Sequence, residues 1–514
     1  MKKCLYLILA GLSLTAVQSQ DVSEALRYAQ DDVNGTARFR AMSGAFGALG
    51  GDFSSINVNP AGSAIFAYTQ IALTLNNYDI DNTSKYFGTK TKQNNSTIDL
   101  NQIGGVYVFE NDDDKSDWKK FSLAMNYENA NNFNNSFYSE GVNPTNSIGN
   151  YFQYYANRNG GISLSNLQLQ TGENLSDLYS YLGNTSGLGF GAQQALLGYQ
   201  GFIIDPATDY DEANNRDYIS LIPSGGNYDQ QNIFESRGYN GKLAFNFATQ
   251  YKDKLYLGIN LNSHFTDYTQ ATSFYEGNTN TPTSGVQRLR FDNQLYTYGT
   301  GFSFQLGAIA KATKTVRLGL AYESPTWYEL NDELSQSLAV VSADASGELP
   351  TDIVNPQVVN VYEPYRLMTP AKWTGSFAYV FGKKGLLSID YATKDYSKTQ
   401  YSPANDFTNT NNTIATTLTR AGELRIGGEY KIKEWSLRAG YRFEESPYKD
   451  SKTVGDLTGS SIGFGYNFGS TRFDFALSHY ERDSQRQFFT QGLTDRANIN
   501  TVNNNVTITL VFAL

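Results

Sequence analysis

The residue types that most often carry enzyme chemistry are scarce in this sequence of 514 amino acids. It has two histidines, His264 and His479, which lie far apart and lack neighbouring carboxylates at the spacing of metal ligands. Ser478 directly precedes His479, but adjacent residues of a strand point to opposite faces and cannot pair as in a hydrolase. We therefore expect no catalytic site, no metal site and no cofactor.

The acidic run from Asn111 to Asp117 reads NDDDKSD and suggests a calcium loop at first sight. Such a loop also needs a glycine at its sixth position and a glutamate at its end, and neither is present. We interpret the run as a solvated turn between two strands.

Three arginines, Arg425, Arg438 and Arg442, recur on the polar face of two successive strand patterns. The same face carries Glu429 and Glu444. Two interpretations remain open: the arginines form a basic strip that binds an anionic headgroup, or they pair with these glutamates inside a polar lumen.

Another candidate site lies in a long stretch rich in tyrosine and asparagine, residues 131–236. Apolar residues recur at helical spacing around Leu175 and again around Leu196, which predicts two short helices. These helices either capture a hydrophobic solute or pack the stretch against itself, and the sequence leaves both possibilities open. The residues expected to contact a solute are Phe190, Leu196, Leu197, Phe202 and Ile203.

Strands must position these candidates, because most of the chain alternates apolar and polar residues. The C-terminal sequence VTITLVFAL, for example, places Ile508, Leu510 and Phe512 on one face and Thr507 and Thr509 on the other. About fourteen such segments follow one another, an even number, as in single-chain bacterial barrels. Their apolar faces would meet a protein core in a soluble sandwich and lipid in a membrane barrel.

The connections between the strands decide between these two classes. Short connections, such as residues 252–254 and 433–434, alternate regularly with long ones. This alternation is typical of an up-and-down antiparallel transmembrane β-barrel with long extracellular loops, an all-β fold. The expected long loops are residues 78–96, 131–236, 269–285, 324–366, 399–415, 446–459 and 483–502.

The N-terminus indicates export from the cytoplasm. Lys2 and Lys3 precede an apolar run from Cys4 to Val17, the order of a secretory signal, which we expect to comprise residues 1–19. Cys4 is the only cysteine, so the mature chain has no disulfide. The formal net charge of −10 and the scattered basic residues argue against nucleic acid as a partner.

A segment too long for a simple tail, residues 20–66, lies between the signal and the first strand. Its part from Arg40 to Gly62 reads RAMSGAFGALGGDFSSINVNPAG. Glycine and alanine permit close backbone packing, so we expect this segment to fill the lumen as a hatch and residues 67–514 to form the barrel.

The segment resembles the N-terminal hatch of the FadL long-chain fatty acid transporter family, also called OMPP1/FadL/TodX. Two stretches, Glu423–Tyr448 and Leu367–Phe381, are similar to late strands of that family, and the long insertion indicates a Bacteroidota-type member. The hatch residues that carry the resemblance are Gly44, Gly47, Asp52, Asn59, Pro60 and Ala61.

The resemblance implies a channel for hydrophobic or amphiphilic solutes, such as long-chain fatty acids, surrounded by the outer-membrane lipid of a Gram-negative bacterium. A different class remains open, in which the barrel transports nothing and is a structural subunit of a larger outer-membrane complex, for example barrel-assembly machinery. Its partners would then be other outer-membrane proteins. The hatch favours transport, and we do not expect an enzyme.

Overall fold

The computed structural model describes residues 20–113, 115–208, 215–281 and 283–514. The expected secretory signal, residues 1–19, lies outside the described residues and stays a prediction. The described chain forms one closed antiparallel barrel of 14 strands, as predicted from the sequence. The N-terminal segment, residues 20–66, is largely buried inside it, and we call this segment the hatch.

The strands are numbered in chain order. The first nine are β1 (Gln70–Tyr86), β2 (Thr89–Glu110), β3 (Trp118–Asn132), β4 (Asn135–Asn143), β5 (Ile204–Pro206), β6 (Tyr218–Ser220), β7 (Tyr228–Tyr251), β8 (Leu255–Asn278) and β9 (Gly285–Lys311). The others are β10 (Val316–Glu323), β11 (Trp327–Asp344), β12 (Gly347–Glu348), β13 (Asp352–Val354), β14 (Asn360–Val361), β15 (Tyr365–Met368), β16 (Lys372–Val380), β17 (Gly385–Asp395), β18 (Gln400–Ser402), β19 (Arg420–Ile432), β20 (Trp435–Glu444), β21 (Val454–Asn467), β22 (Thr471–Gln487) and β23 (Arg496–Ala513).

Four barrel strands consist of two segments each, namely β3 with β4, β10 with β11, β15 with β16, and β17 with β18. The barrel closes where β1 pairs with β23, so that Gln70 lies opposite both Val106 of β2 and Ala513 of β23. β5 and β6 form a separate small sheet, and β12, β13 and β14 pair with the edge of β11.

Side chains alternate between lipid and lumen, as the sequence pattern predicts. In β23, Ile508, Leu510 and Phe512 are exposed on the outer face, whereas Thr507 and Thr509 are fully buried on the inner face. The outer face meets hydrocarbon and the inner face meets the hatch, which explains why apolar residues remain exposed on a folded chain.

Several of the expected extracellular loops are strands instead. β1 and β2 continue through most of residues 78–96 and are joined at Phe87 and Gly88, and β11 occupies much of the segment 324–366. β8 has 24 residues and rises about 60 Å at the usual tilt, far beyond the membrane. In the sequence, the polar strands above the membrane resemble loops, because Asn, Thr and Ser dominate the composition of these strands and of loops alike.

The helices are α1 (Val22–Ala29), α2 (Ala37–Ala41), α3 (Gly149–Asn157), α4 (Leu175–Asn184), α5 (Gly189–Gln200) and α6 (Thr408–Thr417). The two helices expected around Leu175 and Leu196 are thereby confirmed as α4 and α5. Within the described residues, no helix combines the length and the apolarity needed to cross a membrane.

Candidate functional site

The hatch is built from short helical turns that its own side chains cap. Asp21 accepts a hydrogen bond from the Glu24 amide at the start of α1. Asn59 likewise caps the 3₁₀ turn Pro60–Ile65, in which Pro60 takes the first position and needs no amide donor. The Asn-Pro-Ala element therefore starts the turn that leads into the barrel.

Two further expected hatch residues join separate parts of this segment. Asp52 Oδ1 accepts a hydrogen bond from Thr36 Oγ1 at 2.7 Å. The Asn59 side chain donates to the Gly47 carbonyl at 2.7 Å and to the Ala308 carbonyl of β9 at 3.1 Å. Asn59 thus links two turns of the hatch to each other and to the wall.

Glycines of the barrel wall provide space for the hatch backbone. A Cβ atom at Gly319 of β10 would lie 2.2 Å from the Gly47 carbonyl oxygen, and one at Gly258 of β8 would lie 2.4 Å from the Pro60 carbonyl carbon. Neither distance is tolerated, so a side chain at either position would displace the hatch. Similarly close contacts with the hatch involve Gly307, Gly427, Gly440 and Gly463.

The hatch glycines are constrained in turn. Gly44 has φ of +78°, a conformation that favours glycine. A Cβ atom at Gly47 would lie 2.1 Å from Ser376 Oγ, and the Gly47 amide donates to Asp390 Oδ2 at 2.8 Å. Ala61 packs against apolar side chains of three strands, Ala248, Tyr256 and Ile309.

Every barrel strand also contributes a polar side chain to the hatch, so the segment is attached around the whole circumference. The contacting wall residues, in chain order, are Tyr78, Asn101, Ser122, Asn246, Asn260, Gln305, Arg317, Lys372, Asp390, Glu429, Arg442, Ser461, Tyr480 and Thr509. Moving the hatch out of the lumen would leave many of these groups without partners, which is costly when they are buried.

The three arginines singled out in the sequence are all paired with carboxylates. Arg438 lies between Glu429 and Asp474, at 2.7 Å from each, with all three side chains almost fully buried. Arg442 pairs with Glu444 and with Asp32 of the hatch, and Arg425 pairs with Glu423. This geometry favours the interpretation of structural pairing over that of an open basic strip.

The histidines lie apart, as their spacing suggests. His264 Nε2 lies 2.9 Å from Ser303 Oγ, and His479 Nδ1 lies 2.8 Å from Asn504 Oδ1. In the part of the chain that the structure describes, no cluster of histidine, cysteine and acidic residues has metal-binding geometry.

A small polar cavity of about 90 Å³ lies between the hatch and the wall, and we call it the lumenal cavity. Lys242, Glu128, Glu323, Lys394 and Arg425 are among its lining residues. It has room for a few water molecules and is smaller than a typical ligand pocket of about 300 Å³ or more. The lumenal cavity is therefore too small to hold a drug-sized solute.

Asp31 of the hatch projects into the lumenal cavity and contacts two lysines. Its Oδ2 atom lies 2.8 Å from Lys394 Nζ and 3.1 Å from Lys372 Nζ. Burial alone would raise the pKa of Asp31, but the two ammonium groups outweigh it and hold that pKa well below its usual range. Asp31 is therefore a carboxylate at neutral pH.

A much larger cavity of about 890 Å³ lies above the hatch, and we call it the vestibule. Helix α1 forms its floor, the upper parts of β7, β8, β9, β11 and β22 form its walls, and Tyr151, Tyr155 and Phe190 form its roof. A volume of this size is typical of a pocket for a drug-sized ligand. Its aromatic lining consists of Tyr151, Tyr155, Phe190, Phe234, Phe274, Phe291, Tyr448, Phe488 and Phe489.

The roof belongs to a lid, residues 144–227, with its own apolar core. Of the residues expected to contact a solute, Leu196, Leu197 and Ile203 are fully buried in that core, and Phe202 is 55% exposed at the surface. Phe190 alone of the five lines the vestibule. The first three therefore pack the lid against itself and the barrel rim.

Arg486 differs from the other cations of the vestibule, because it has no polar partner among the described residues. The Arg486 guanidinium lies 3.8 Å from the ring centre of Phe234 and 5.0 Å from that of Phe137. Within the described chain it has neither a carboxylate nor a hydrogen-bond acceptor. Arg27, by contrast, forms a bidentate pair with Glu24 at 2.7 and 2.8 Å.

The wall is discontinuous on one side. The ladder between β2 and β3 ends at Gln102 and Glu128, and above it residues 89–101 of β2 pair with β1 only. β4 pairs with β7 only and lies inside the β1–β2 hairpin, where its Ser139 contacts Ser84. At this height β3 carries a bulge at Ala130, which lines the lumenal cavity.

The vestibule was not recognisable in the sequence because its residues come from distant strands. Arg486 and the neighbouring Phe488 and Phe489 fall in a segment, 483–502, that reads as a polar loop. The adjacent pair Phe488 and Phe489, close after Arg486, was the only hint of a binding site in this segment. A single aromatic pair is too common in sequences to identify such a site.

A model of the family described as outer membrane protein transport protein (OMPP1/FadL/TodX) matches residues 227–510, more than half of the chain. The chain belongs to the OMPP1/FadL/TodX family. It is accordingly an outer-membrane barrel of a Gram-negative bacterium, as the sequence predicted. No curated protein matches it in sequence.

Solved structures agree with the OMPP1/FadL/TodX fold. The Pseudomonas putida toluene transporter TodX superposes with a TM-score of 0.51 at 15% identity, covering 94% of this chain and 99% of that one. A Pseudomonas aeruginosa FadL homologue superposes with a TM-score of 0.50 at 12% identity, covering 94% and 99%. At such identities the likeness shows the fold alone.

Proposed function

We propose that the protein is an outer-membrane channel for hydrophobic or amphiphilic solutes and that it accepts long-chain fatty acids. The observation that carries the proposal is the vestibule, a cavity of about 890 Å³ with an aromatic lining and with Arg486, which has no polar partner among the described residues. Aromatic side chains remove the acyl chain from water, and burial of its surface supplies the binding free energy. The similar proteins described as a toluene transporter and a FadL homologue support the solute class.

Arg486 is the group that would bind the headgroup. A guanidinium held over an aromatic ring keeps its donors free at the edge, and a carboxylate accepts two parallel hydrogen bonds from them. The paired arginines Arg425, Arg438 and Arg442 are less suited, because a ligand would first have to displace their carboxylates.

The proposed exit is lateral. The hatch is bonded to all barrel strands, and the lumenal cavity between the hatch and the wall is polar and small, so release toward the periplasm would disrupt many buried contacts. The gap between β2 and β3 beside Ala130 offers a shorter route into the bilayer. A solute that prefers hydrocarbon to water gains free energy along that route.

A second candidate function is a structural role in a complex with other outer-membrane proteins. Exposed apolar residues in the segment 347–361, whose strands β12 to β14 pair with the edge of β11, favour it, because exposed apolar patches often bind other proteins. They are Leu349, Ile353, Val359 and Val361. Native mass spectrometry of the protein in mild detergent distinguishes the two functions, since a co-purified lipid-sized ligand supports transport and a stoichiometric protein partner supports scaffolding.

Binding of palmitate and of hexadecanol, which has no carboxylate, tests the transport proposal. We expect micromolar affinity for palmitate and a loss of about tenfold or more in Arg486→Gln, because one charge-assisted interaction is removed. Hexadecanol should bind the unaltered protein and Arg486→Gln with equal affinity. Arg496→Gln, which removes an exposed cation at the rim of the same cavity, is the matched control and should bind palmitate normally.

A further inference from the structure

The lumenal cavity is lined by more carboxylates than cations. Its lysine and arginine side chains are Lys242, Lys372, Lys394 and Arg425. Its carboxylates are Asp31, Asp32, Glu128, Glu323, Asp390 and Glu423. Buried charges in proteins are normally paired with opposite charges or coordinate a metal ion, so this surplus of negative charge needs a source of compensation.

Four of the six carboxylates have a cation at ion-pair distance. Asp31 contacts Lys394 and Lys372, and Glu423 contacts Lys372 and Arg425. Glu323 contacts Lys242, and Asp32 contacts Arg442, which does not line the cavity. Within the described residues, the two carboxylates without such a cation are Glu128 and Asp390.

The surroundings of these two carboxylates differ. Asp390 Oδ2 accepts a hydrogen bond from the Gly47 amide at 2.8 Å, and such a donor stabilises a carboxylate. Glu128 is only 7% exposed, and its Oε2 atom has no hydrogen bond of normal geometry to any described residue. Glu128 is therefore the carboxylate with the greater need of a cation.

Two amide side chains lie with Glu128 at the cavity. Lys242 of β7 is the cross-strand partner of Glu128, and Asn240 precedes it by two residues on the same face. The Asn240 amide group donates to Tyr328 Oη at 3.0 Å, and its Oδ1 has no partner among the described residues. Asn57 of the hatch lies beside Glu128, and its two polar side-chain atoms likewise make no hydrogen bond of normal geometry. Carboxylate and amide oxygens are the ligands that hard cations prefer.

Lys242 cannot neutralise Glu128 without leaving another carboxylate alone. Its ammonium group lies 3.4 Å from Glu323, which has no other cation at ion-pair distance in the described chain. His264 also lines the cavity, but its ring nitrogens contact hydroxyl groups rather than a carboxylate. The group formed by Glu128, Glu323 and Lys242 therefore keeps one excess negative charge.

We propose that Glu128, Asn57 and Asn240 bind a sodium ion between the hatch and the wall strands β3 and β7. The single excess charge and the nearby Lys242 ammonium group favour a monovalent ion, because a second positive charge on the ion would increase the repulsion. The lumenal cavity has room for water molecules that complete the coordination. The site is separate from the vestibule, since none of its three residues lines that cavity, and it requires no fatty acid.

Amide hydrogen exchange of residues 54–60, measured on the detergent-solubilised full chain, tests whether sodium binds here. Sodium chloride is compared with choline chloride at an equal ionic strength of about 0.15 M, so that screening is the same in both salts. We expect exchange to be about tenfold slower in sodium chloride, because an ion that binds only the closed form stabilises it by mass action.

Two variants assign the sodium effect to Glu128. Glu128→Gln removes the charge and keeps the size of the side chain, so its exchange should be equal in the two salts. Asp390→Asn alters the other carboxylate that has no cation partner among the described residues, and it should keep the sodium effect. Heat-modifiable migration on gels verifies that each variant is folded.

A crystal grown with thallium(I) acetate in place of sodium salts locates the ion without any variant. Thallium(I) substitutes for monovalent metal ions and gives an anomalous signal, which we expect between Glu128, Asn57 and Asn240. The absence of a peak at these residues would overturn the proposal, and so would a sodium effect that persists in Glu128→Gln. Equal exchange of the unaltered protein in the two salts would also overturn it and would indicate that a proton neutralises Glu128.

Discussion

Replacing Gly319 with alanine tests whether the wall glycines hold the hatch in place. The added Cβ atom would lie 2.2 Å from the Gly47 carbonyl oxygen and 2.8 Å from its carbon, so the hatch backbone must retreat by about 1 Å to reach ordinary contact. Gly375, on the neighbouring strand, faces lipid and has nothing within 4 Å of an added Cβ. Gly375→Ala is therefore the matched control.

The expected cost follows from the contacts of Gly47. Its amide donates to Asp390 at 2.8 Å, and its carbonyl accepts from Asn59 at 2.7 Å. A hydrogen bond to a charged group contributes about 1.5–3 kcal/mol and a neutral one about 1 kcal/mol. Weakening both lowers the free energy of local hatch opening by about 2–4 kcal/mol, which corresponds to a roughly 30- to 1000-fold larger open population.

Hydrogen exchange of residues 42–62 measures this population directly. We expect Gly319→Ala to accelerate exchange there by the factor given above while the barrel keeps its heat-modifiable migration on gels. Gly375→Ala should leave exchange unchanged. Equal protection in the two variants would refute the role assigned to the glycine contacts.

Three further predictions concern the vestibule and the hatch. Phe190→Ala should weaken palmitate binding by about tenfold or more through lost burial, whereas Phe202→Ala on the exposed side of the lid should not, as titration of each variant would reveal. The attachment through Asp31 should persist above the ordinary aspartate pKa of about 3.9 and weaken as the pH falls further, because its pKa is lowered in the folded chain; exchange that is insensitive to acid would contradict this. Deletion of residues 21–58 should leave a folded barrel with larger single-channel conductance in planar bilayers, and an unchanged conductance would mean that the segment does not occlude the pore.

The sequence predicted the barrel well because a strand between lipid and a polar lumen must alternate, as β23 does. It predicted the ends of the strands poorly above the membrane. There both faces of a strand meet water or a polar interior, so apolar and polar residues no longer alternate in the sequence, as in residues 78–96. The helices α4 and α5 were recognisable from their spacing.

The site was less accessible to sequence reasoning. In the sequence, Leu196 and Leu197 cannot be distinguished from apolar residues that contact a ligand. Only the packing of the lid reveals that they are fully buried in its core. Arg438 and Arg486 look equally available in the sequence, yet Arg438 lies between two carboxylates and Arg486 has no carboxylate partner among the described residues. Such differences depend on which distant strands become neighbours.

The central claim, that an amphiphile binds above the hatch with its headgroup at Arg486, is tested most directly by a crystal structure with 2-bromopalmitate. The bromine is attached next to the carboxylate, so its anomalous signal locates the headgroup. We predict a peak in the vestibule beside the Arg486 guanidinium. A peak found only on the outer surface of the barrel, with none beside Arg486, would contradict the account.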